Sequence, residues 1–306
     1  MIELRGSIQL GENTRIGFGR CFGTFGELLQ GAVSEDKRNF LVTLPITKYS
    51  TARFTVLSDA DDIYVFPEHK QKARKLAKQL IHSLGMKVGG ILYLQSELAE
   101  GKGCASSSAD MAASAYAIQS AIGCYIAPSS LARLMASIEP SDGVMYPGVV
   151  AFYHREGALH SFLGNLPPLV IVALDEGGQV DTIEFNSSPL SFSKTEIREY
   201  EKMLADMEKA VASHRLADIG AIATCSAIMN QKILPKIHLD LMLDLHKQYE
   251  ALGVVVAHSG TYLGLLLDPA SPIYHQSLLG VIAALTQRSL AVSVFNTCSF
   301  QKESRL

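Results

Sequence analysis

Glu100-Gly101-Lys102-Gly103-Cys104-Ala105-Ser106-Ser107-Ser108-Ala109-Asp110 leads from an alternating strand, Ile91 to Ser96, into a stretch of Ala, Ser, Met and Ile that ends at Ile122. The order of elements matters more than the composition. Amides at a helix N-terminus are unpaired donors at the positive end of the dipole, and glycines let an anion reach the backbone. The stretch therefore reads as a phosphate cradle, with Lys102 as a point charge and a hydroxyl of Ser106 or Ser107 available to Mg2+. An ordinary helix cap is the competing explanation of the serines, with Asp110 favouring the dipole from the first turn. The spacing is not that of a GxxxxGK[ST] loop.

Outward from the cradle, Ser106 to Ile122 is apolar nearly all round and is expected to be a buried central helix. On its N-terminal side, Phe40 to Ile46, Thr51 to Leu57 and Asp62 to Phe66 carry strand composition, and Pro67 opens a basic helical segment to Ser83. On its C-terminal side a helix is expected over 128–138 and a strand over 148–154. Leu166-Pro167-Pro168 is the linker candidate, giving lobes over 1–166 and 167–306. The second lobe alternates helices over 194–214, 218–231 and 239–252 with strands over 169–174, 254–257, 263–267 and 291–295, and Gly253 is expected to end the third helix. The whole reads as an α+β fold of two lobes.

The composition narrows the function classes. With 306 residues, 48% hydrophobic and 19% charged, the chain can bury a large core. A net charge of −3 with scattered Lys and Arg excludes a basic nucleic-acid footprint and leaves a small molecule as the expected partner. No apolar run reaches the roughly 20 residues of a membrane span, and Met1 to Leu10 lacks a signal layout, so a cytoplasmic protein is expected. The five cysteines are widely spaced with no CxxC pair and read as reduced thiols.

Three further stretches carry chemistry-bearing side chains. Cys21 to Gly31 crowds Gly23, Thr24, Gly26, Glu27, Gln30 and Gly31 into what is expected to be a substrate-facing turn, or a plain glycine-rich connection. Ala257 to Leu265, with His258 and Gly260, reads as a turn between two apolar strands, near the phosphates or simply a hairpin. Glu139-Pro140-Ser141-Asp142-Gly143 and Asp175 to Thr182 are acidic turns whose carboxylates can hold Mg2+ or take a proton from an attacking hydroxyl.

Together these stretches resemble the GHMP kinases, and within them the L-threonine kinases of cobalamin biosynthesis and propanediol utilisation. The resemblance rests on Gly26-Glu27-Leu28 with Gln30-Gly31, on Lys102-Gly103 with Ala105-Ser106-Ser107 and Ala109-Asp110, and on Gly177-Gly178 with Val180-Asp181-Thr182. It implies an N-terminal lobe like ribosomal protein S5 domain 2, a ferredoxin-like C-terminal lobe, and an ATP- and Mg2+-dependent kinase for a small molecule with a free hydroxyl. L-threonine is the first acceptor it suggests and homoserine the runner-up; a homodimer is compatible with it.

Position by position, the resemblance implies phosphate contacts from Gly101, Lys102, Gly103, Cys104, Ala105, Ser106, Ser107 and Ser108. Mg2+ ligation falls to Ser107 and Glu139. Asp142 stands at the base position, with Lys102 and Thr182 as further catalytic candidates. Substrate contacts fall to Thr24, Gly26, Glu27, Gln30, Asp181, Thr182 and Gly260. Phe22, Ala99 and Cys104-Ala105 depart from the residues common in the family.

Overall fold

The computed structural model describes residues 2–4, 15–34, 38–57, 60–178 and 192–300, so Gln179, Val180, Asp181 and Thr182 lie outside the described residues. Its spine is the antiparallel pair β2 (Ile16–Ala32) and β3 (Asn39–Leu57). One end of β3 pairs with β5 (Gly89–Ser96), which takes β4 (Ile63–Phe66) in parallel. The other end pairs, through Leu41 and Val42, with β7 (Val149–Tyr153), and β8 (Ala158–Gly164) closes onto β7. A short pair, β1 (Ile2–Leu4) with β6 (Cys124–Ile126), stands apart.

The second half contributes β9 (Val170–Asp175), β10 (Gly253–Val256), β11 (Tyr262–Leu267) and β12 (Ala291–Asn296) in the order β12-β9-β11-β10. The pair Val256↔Glu27 joins β10 to β2, so one curled sheet runs through both halves. That junction places the β10–β11 turn against the middle of β2. It is why the first and third glycine stretches meet.

The helices are α1 (Gln71–Ser83), α2 (Ser106–Ile122), α3 (Pro128–Ala136), α4 (Lys194–Ala212), α5 (Leu216–Asn230), α6 (Leu239–Gln248) and α7 (Tyr274–Thr286). α1 is amphipathic, burying Ala73, Leu76, Ala77, Leu80 and Ile81 at helical spacing. Each of its large apolar side chains contributes about 1.5–3 kcal/mol on burial. α2 is buried on nearly every side, from Ser108 to Ile122. It presses on β2 where Gly17 and Gly19 leave room: a Cβ at either would overlap the carbonyl of Ala117 or Ala113. α4 starts with a capping box between Ser193 and Glu196. Among the described residues no helix is long and apolar enough to cross a membrane.

Several expectations are corrected by these elements. Residues 21–31 are not a turn but the centre of β2, where register shifts after Phe22, Thr24 and Glu27 bend the strand. Glycine there serves bulges and close packing rather than chain reversal; Gly26, at φ 49°, has its missing Cβ against the Val256 carbonyl. The two strands expected over 40–46 and 51–57 are one strand, β3. Gly253 opens β10 instead of ending a helix; α6 stops at Gln248, and Glu250 at φ 50° makes the reversal. β8 and α7 are additional elements.

Candidate active site

α2 begins on Ala105, whose left-handed backbone (φ 54°, ψ 32°) turns the chain out of the loop, and no side chain caps the helix. The first amides of α2 therefore have no intrahelical acceptor and no serine oxygen bound to them. The helix-cap explanation of Ser106, Ser107 and Ser108 fails on this geometry. Instead Ser107 Oγ donates to Glu139 Oε1, and Ser108 Oγ donates to Asp142 Oδ2 at 3.0 Å while accepting from the Asp142 amide at 3.0 Å. The serines couple the helix start to the acidic turn 139–142.

The loop is held in place by backbone bonds from both other glycine stretches. The Gly26 amide donates to the Gly103 carbonyl at 2.9 Å, Thr24 to Cys104 at 3.3 Å, and Thr261 to Lys102 at 3.2 Å. Gly103, at φ 87°, lies so close to Ala257 that a side chain would overlap the alanine Cβ, and Gly260 packs on the Lys102 and Gly103 backbone. Thr24, Gly26 and Gly260 thus hold the cradle, and they are not among the residues lining the cavity in front of it. Lys236, buried, donates to the Gly260 carbonyl from behind; burial pulls its ammonium down to about 8.

That cavity has a volume of about 400 Å³, within the range of small-ligand sites. Gly101 and residues 103–108 form one wall, the 139–142 turn another, and Glu27, Gln30 and His154 a third. Lys102 does not line it. Its ammonium is spent on Asp175, at 2.8 Å, and on the Gly178 carbonyl at 2.7 Å. Burial opposes the charge on Asp175, but the bonds from Lys102 and Thr261 outweigh it and hold that carboxyl below its usual range. The Lys102 ammonium, a candidate phosphate contact in the sequence, is thus engaged by Asp175 and the Gly178 carbonyl in this structure.

The cationic groups facing the cavity are Lys70 and Lys72, at the start of α1, which sequence reasoning passed over. Lys70 pairs with Asp110 at 2.6 Å and with Glu100 at 2.5 Å; Lys72 pairs with Glu139 Oε2 at 2.5 Å. Asp110 also accepts from Ser50, so it anchors α2 instead of serving the helix dipole. The signal was present in the basic run Lys70-Gln71-Lys72 just after Pro67, but nothing in it points to the cavity.

On the third wall, Glu27 is 5% exposed and accepts through Oε2 from the His258 amide at 3.0 Å and from His258 Nδ1 at 2.9 Å. His258 Nε2 meets Ser226 Oγ at 2.9 Å, and Ser226 accepts from the Gln30 amide at 3.2 Å, which fixes the ring. Burial, then the charge of Glu27, pushes the Asp142 carboxyl up to about 7 against the Ser108 bond. His154 is 4% exposed and its Nδ1 has no hydrogen-bond partner; burial and Arg155 hold it down to about 4, so it is neutral near pH 7. Burial also pushes the Cys104 thiol up to about 12, which makes it inert.

An anion cradle, a hydroxyl–carboxylate pair and a carboxylate of raised affinity for protons share one cavity, the parts of a phosphoryl-transfer site. Residues 71–154, which include α1, the cradle, Glu139, Asp142 and His154, match the model of the GHMP kinases N terminal domain. The chain is 29% identical over 250 residues to an L-threonine kinase of Citrobacter freundii, covering 81% of this chain and 85% of that one. It is 28% identical over 262 residues to an L-threonine kinase of Salmonella typhimurium, covering 84% of each. A homoserine kinase from Cytophaga hutchinsonii has the same fold, with a TM-score of 0.70 at 12% identity over 96% of this chain and 98% of that one. The chain is thus similar to the GHMP kinases in its matched N-terminal domain and to the two L-threonine kinases along most of its length, and it shares the fold of the homoserine kinase.

Proposed function

We propose that the protein transfers the γ-phosphoryl group of ATP to the hydroxyl of L-threonine or of a similar hydroxylated amino acid. The observation that carries this reading is the coupling of the uncapped α2 N-terminus, through Ser107 and Ser108, to Glu139 and Asp142 in one cavity. The amides after Ala105 receive the β- and γ-phosphates, and the loop glycines let those oxygens approach the backbone. Lys70 and Lys72 add positive charge on the same side.

Ser107 and Glu139 offer hydroxyl and carboxylate oxygens in contact, a donor set that suits Mg2+. When bound there, the ion neutralises charge on the phosphate oxygens. Asp142 is held by Ser108 in the first turn of α2, beside the phosphates, where it takes the proton of the acceptor hydroxyl as that oxygen attacks phosphorus. The bond from the γ-phosphorus to its bridging oxygen breaks, and ADP leaves with that electron pair. Positioning and electrostatics supply most of the acceleration in this chemistry.

ADP release with Mg2+ and ATP, measured against L-threonine, L-serine, L-homoserine, ethanolamine and several sugars, tests the reading. Turnover is expected with L-threonine and is lost in Asp142→Ala and Ser107→Ala. Turnover only with a sugar would discard the amino-acid acceptor. ATP binding without turnover on any hydroxyl would discard the kinase.

A further inference from the structure

Five carboxylates line the cavity, and they divide by their partners. Asp110 and Glu100 share Lys70, and Glu139 has Lys72. Glu27 and Asp142 have no Lys or Arg partner among the described residues. Glu27 is buried, and its bonded neighbour His258 is oriented by Ser226. Lys236 senses the charge of Glu27 but directs its ammonium to the Gly260 carbonyl. A buried carboxylate whose bonded side-chain partner is a histidine, with no Lys or Arg beside it, is costly, and a cationic ligand at its free oxygen relieves that cost.

His154 is the independent second observation. It lines the same wall, is 96% buried by its 4% exposure, and has Nδ1 without a partner. A neutral imidazole next to Glu27 offers a polar contact without competing for the carboxylate. Both donors from His258 fall on Oε2, which leaves Oε1 for a ligand. A negatively charged ligand group at this wall would meet Glu27 and Asp142 together.

We propose that Glu27, with His154 beside it, is the subsite that binds the ammonium group of the acceptor, so the cavity selects hydroxylated amines over hydroxy acids. The proposal rests on the kinase reading and names the feature of the substrate that it requires. Asp142 and the cradle act on the hydroxyl; Glu27 acts on the amine. Glu27 touches substrate in this assignment, and His258 positions it.

The test compares L-threonine with 3-hydroxybutyrate, which keeps the hydroxyl and carboxylate, and with 1-aminopropan-2-ol, which keeps the hydroxyl and amine. Phosphorylation is followed by ADP release, and binding by calorimetry in the presence of a non-hydrolysable ATP analogue. The wild-type protein is expected to prefer either amine over 3-hydroxybutyrate by about 100-fold or more, the scale on which a site built for a polar group rejects its absence. Glu27→Gln is expected to raise KM for L-threonine about 100-fold with little change in KM for ATP, and to erase the preference. Glu27→Asp, which keeps the charge, is expected to restore part of it.

Equal use of L-threonine and 3-hydroxybutyrate by the wild-type protein, or an unchanged ratio in Glu27→Gln, overturns the subsite and leaves the kinase standing. Amine-selective binding without phosphorylation overturns the kinase and leaves the subsite. Binding of neither amine overturns both. The wild-type ratio decides the matter even if Glu27→Gln does not fold.

Discussion

In the proposed kinase, the phosphate side of the cavity is built from backbone and the acceptor side from side chains. Residues 101–108 are contiguous, and their function lies in φ angles, bare amides and three backbone bonds that hold the loop. Glu27, Asp142 and His154 come from β2, the turn after α3 and the end of β7, and only the curled sheet brings them together. The first wall should tolerate changes of charge and fail on added volume. The second should tolerate changes of shape and fail on changes of charge.

The largest effect on ATP binding is expected from Gly103→Val. A side chain there has both a left-handed backbone and the Ala257 Cβ against it, and the clash is with packed structure on the opposite turn. ATP affinity should fall by at least about 100-fold, since the amides that cradle phosphate move with the loop. Calorimetric titration of ATP, with thermal unfolding alongside, checks it. Unchanged affinity in a folded variant would show that the loop geometry does not set phosphate binding.

Next comes Asp142→Asn, which keeps shape and removes charge. kcat is expected to fall by about 10²–10⁴-fold, the usual contribution of a positioned base, with ATP affinity intact. In the wild-type protein kcat/KM should rise with pH through about 7, because burial and Glu27 hold Asp142 protonated below that value. Stability moves the other way. The folded protein holds the Asp142 proton up to about 7 and the unfolded chain only to about 4, so stability is lost as pH rises between them. Asp142→Asn should therefore be more stable than wild type at pH 8 by about 2–4 kcal/mol and similar at pH 4. Denaturant unfolding at the two pH values decides it.

Lys72→Met should have a smaller effect. It removes a half-exposed ammonium from Glu139 and from the phosphate side, and is expected to raise KM for ATP about 10-fold, the loss of one charge-assisted contact. A rise in KM for L-threonine alone would move Lys72 to the acceptor wall.

The same contrast explains what could be read from the chain. Ser106 to Ile122 and the cradle before it were legible because composition, helix start and anion binding are local properties. The start of α2 at Ser106 and its end at Ile122 match the expectation. Whether Ser107 and Ser108 cap the helix or reach the acidic turn was not legible, because the answer lies in Glu139 and Asp142. Residues 21–31 were misread because glycine marks a turn in sequence, whereas β2 uses it to admit the Val256 carbonyl and to bulge around Glu27. His154 carries no local sign at all: it follows an apolar strand and gains its place through β7 pairing with β3.

Lys102→Ala is expected to give the smallest effect, and it tests the comparison most directly. In the sequence Lys102 sits inside the cradle, and a lysine there suggests a phosphate contact. In the fold its ammonium points out of the cavity to Asp175, which also accepts from Thr261 at 2.7 Å and from the Gly177 amide at 3.0 Å. Removing it should cost about 1 kcal/mol of stability, as for a partly exposed ion pair, because Asp175 keeps those two donors. KM for ATP should change by less than about 5-fold, since in the proposed site backbone amides, not this side chain, hold the phosphates. A rise of tenfold or more would mean that the ammonium leaves Asp175 for the nucleotide, and that the phosphate wall depends on a side chain after all.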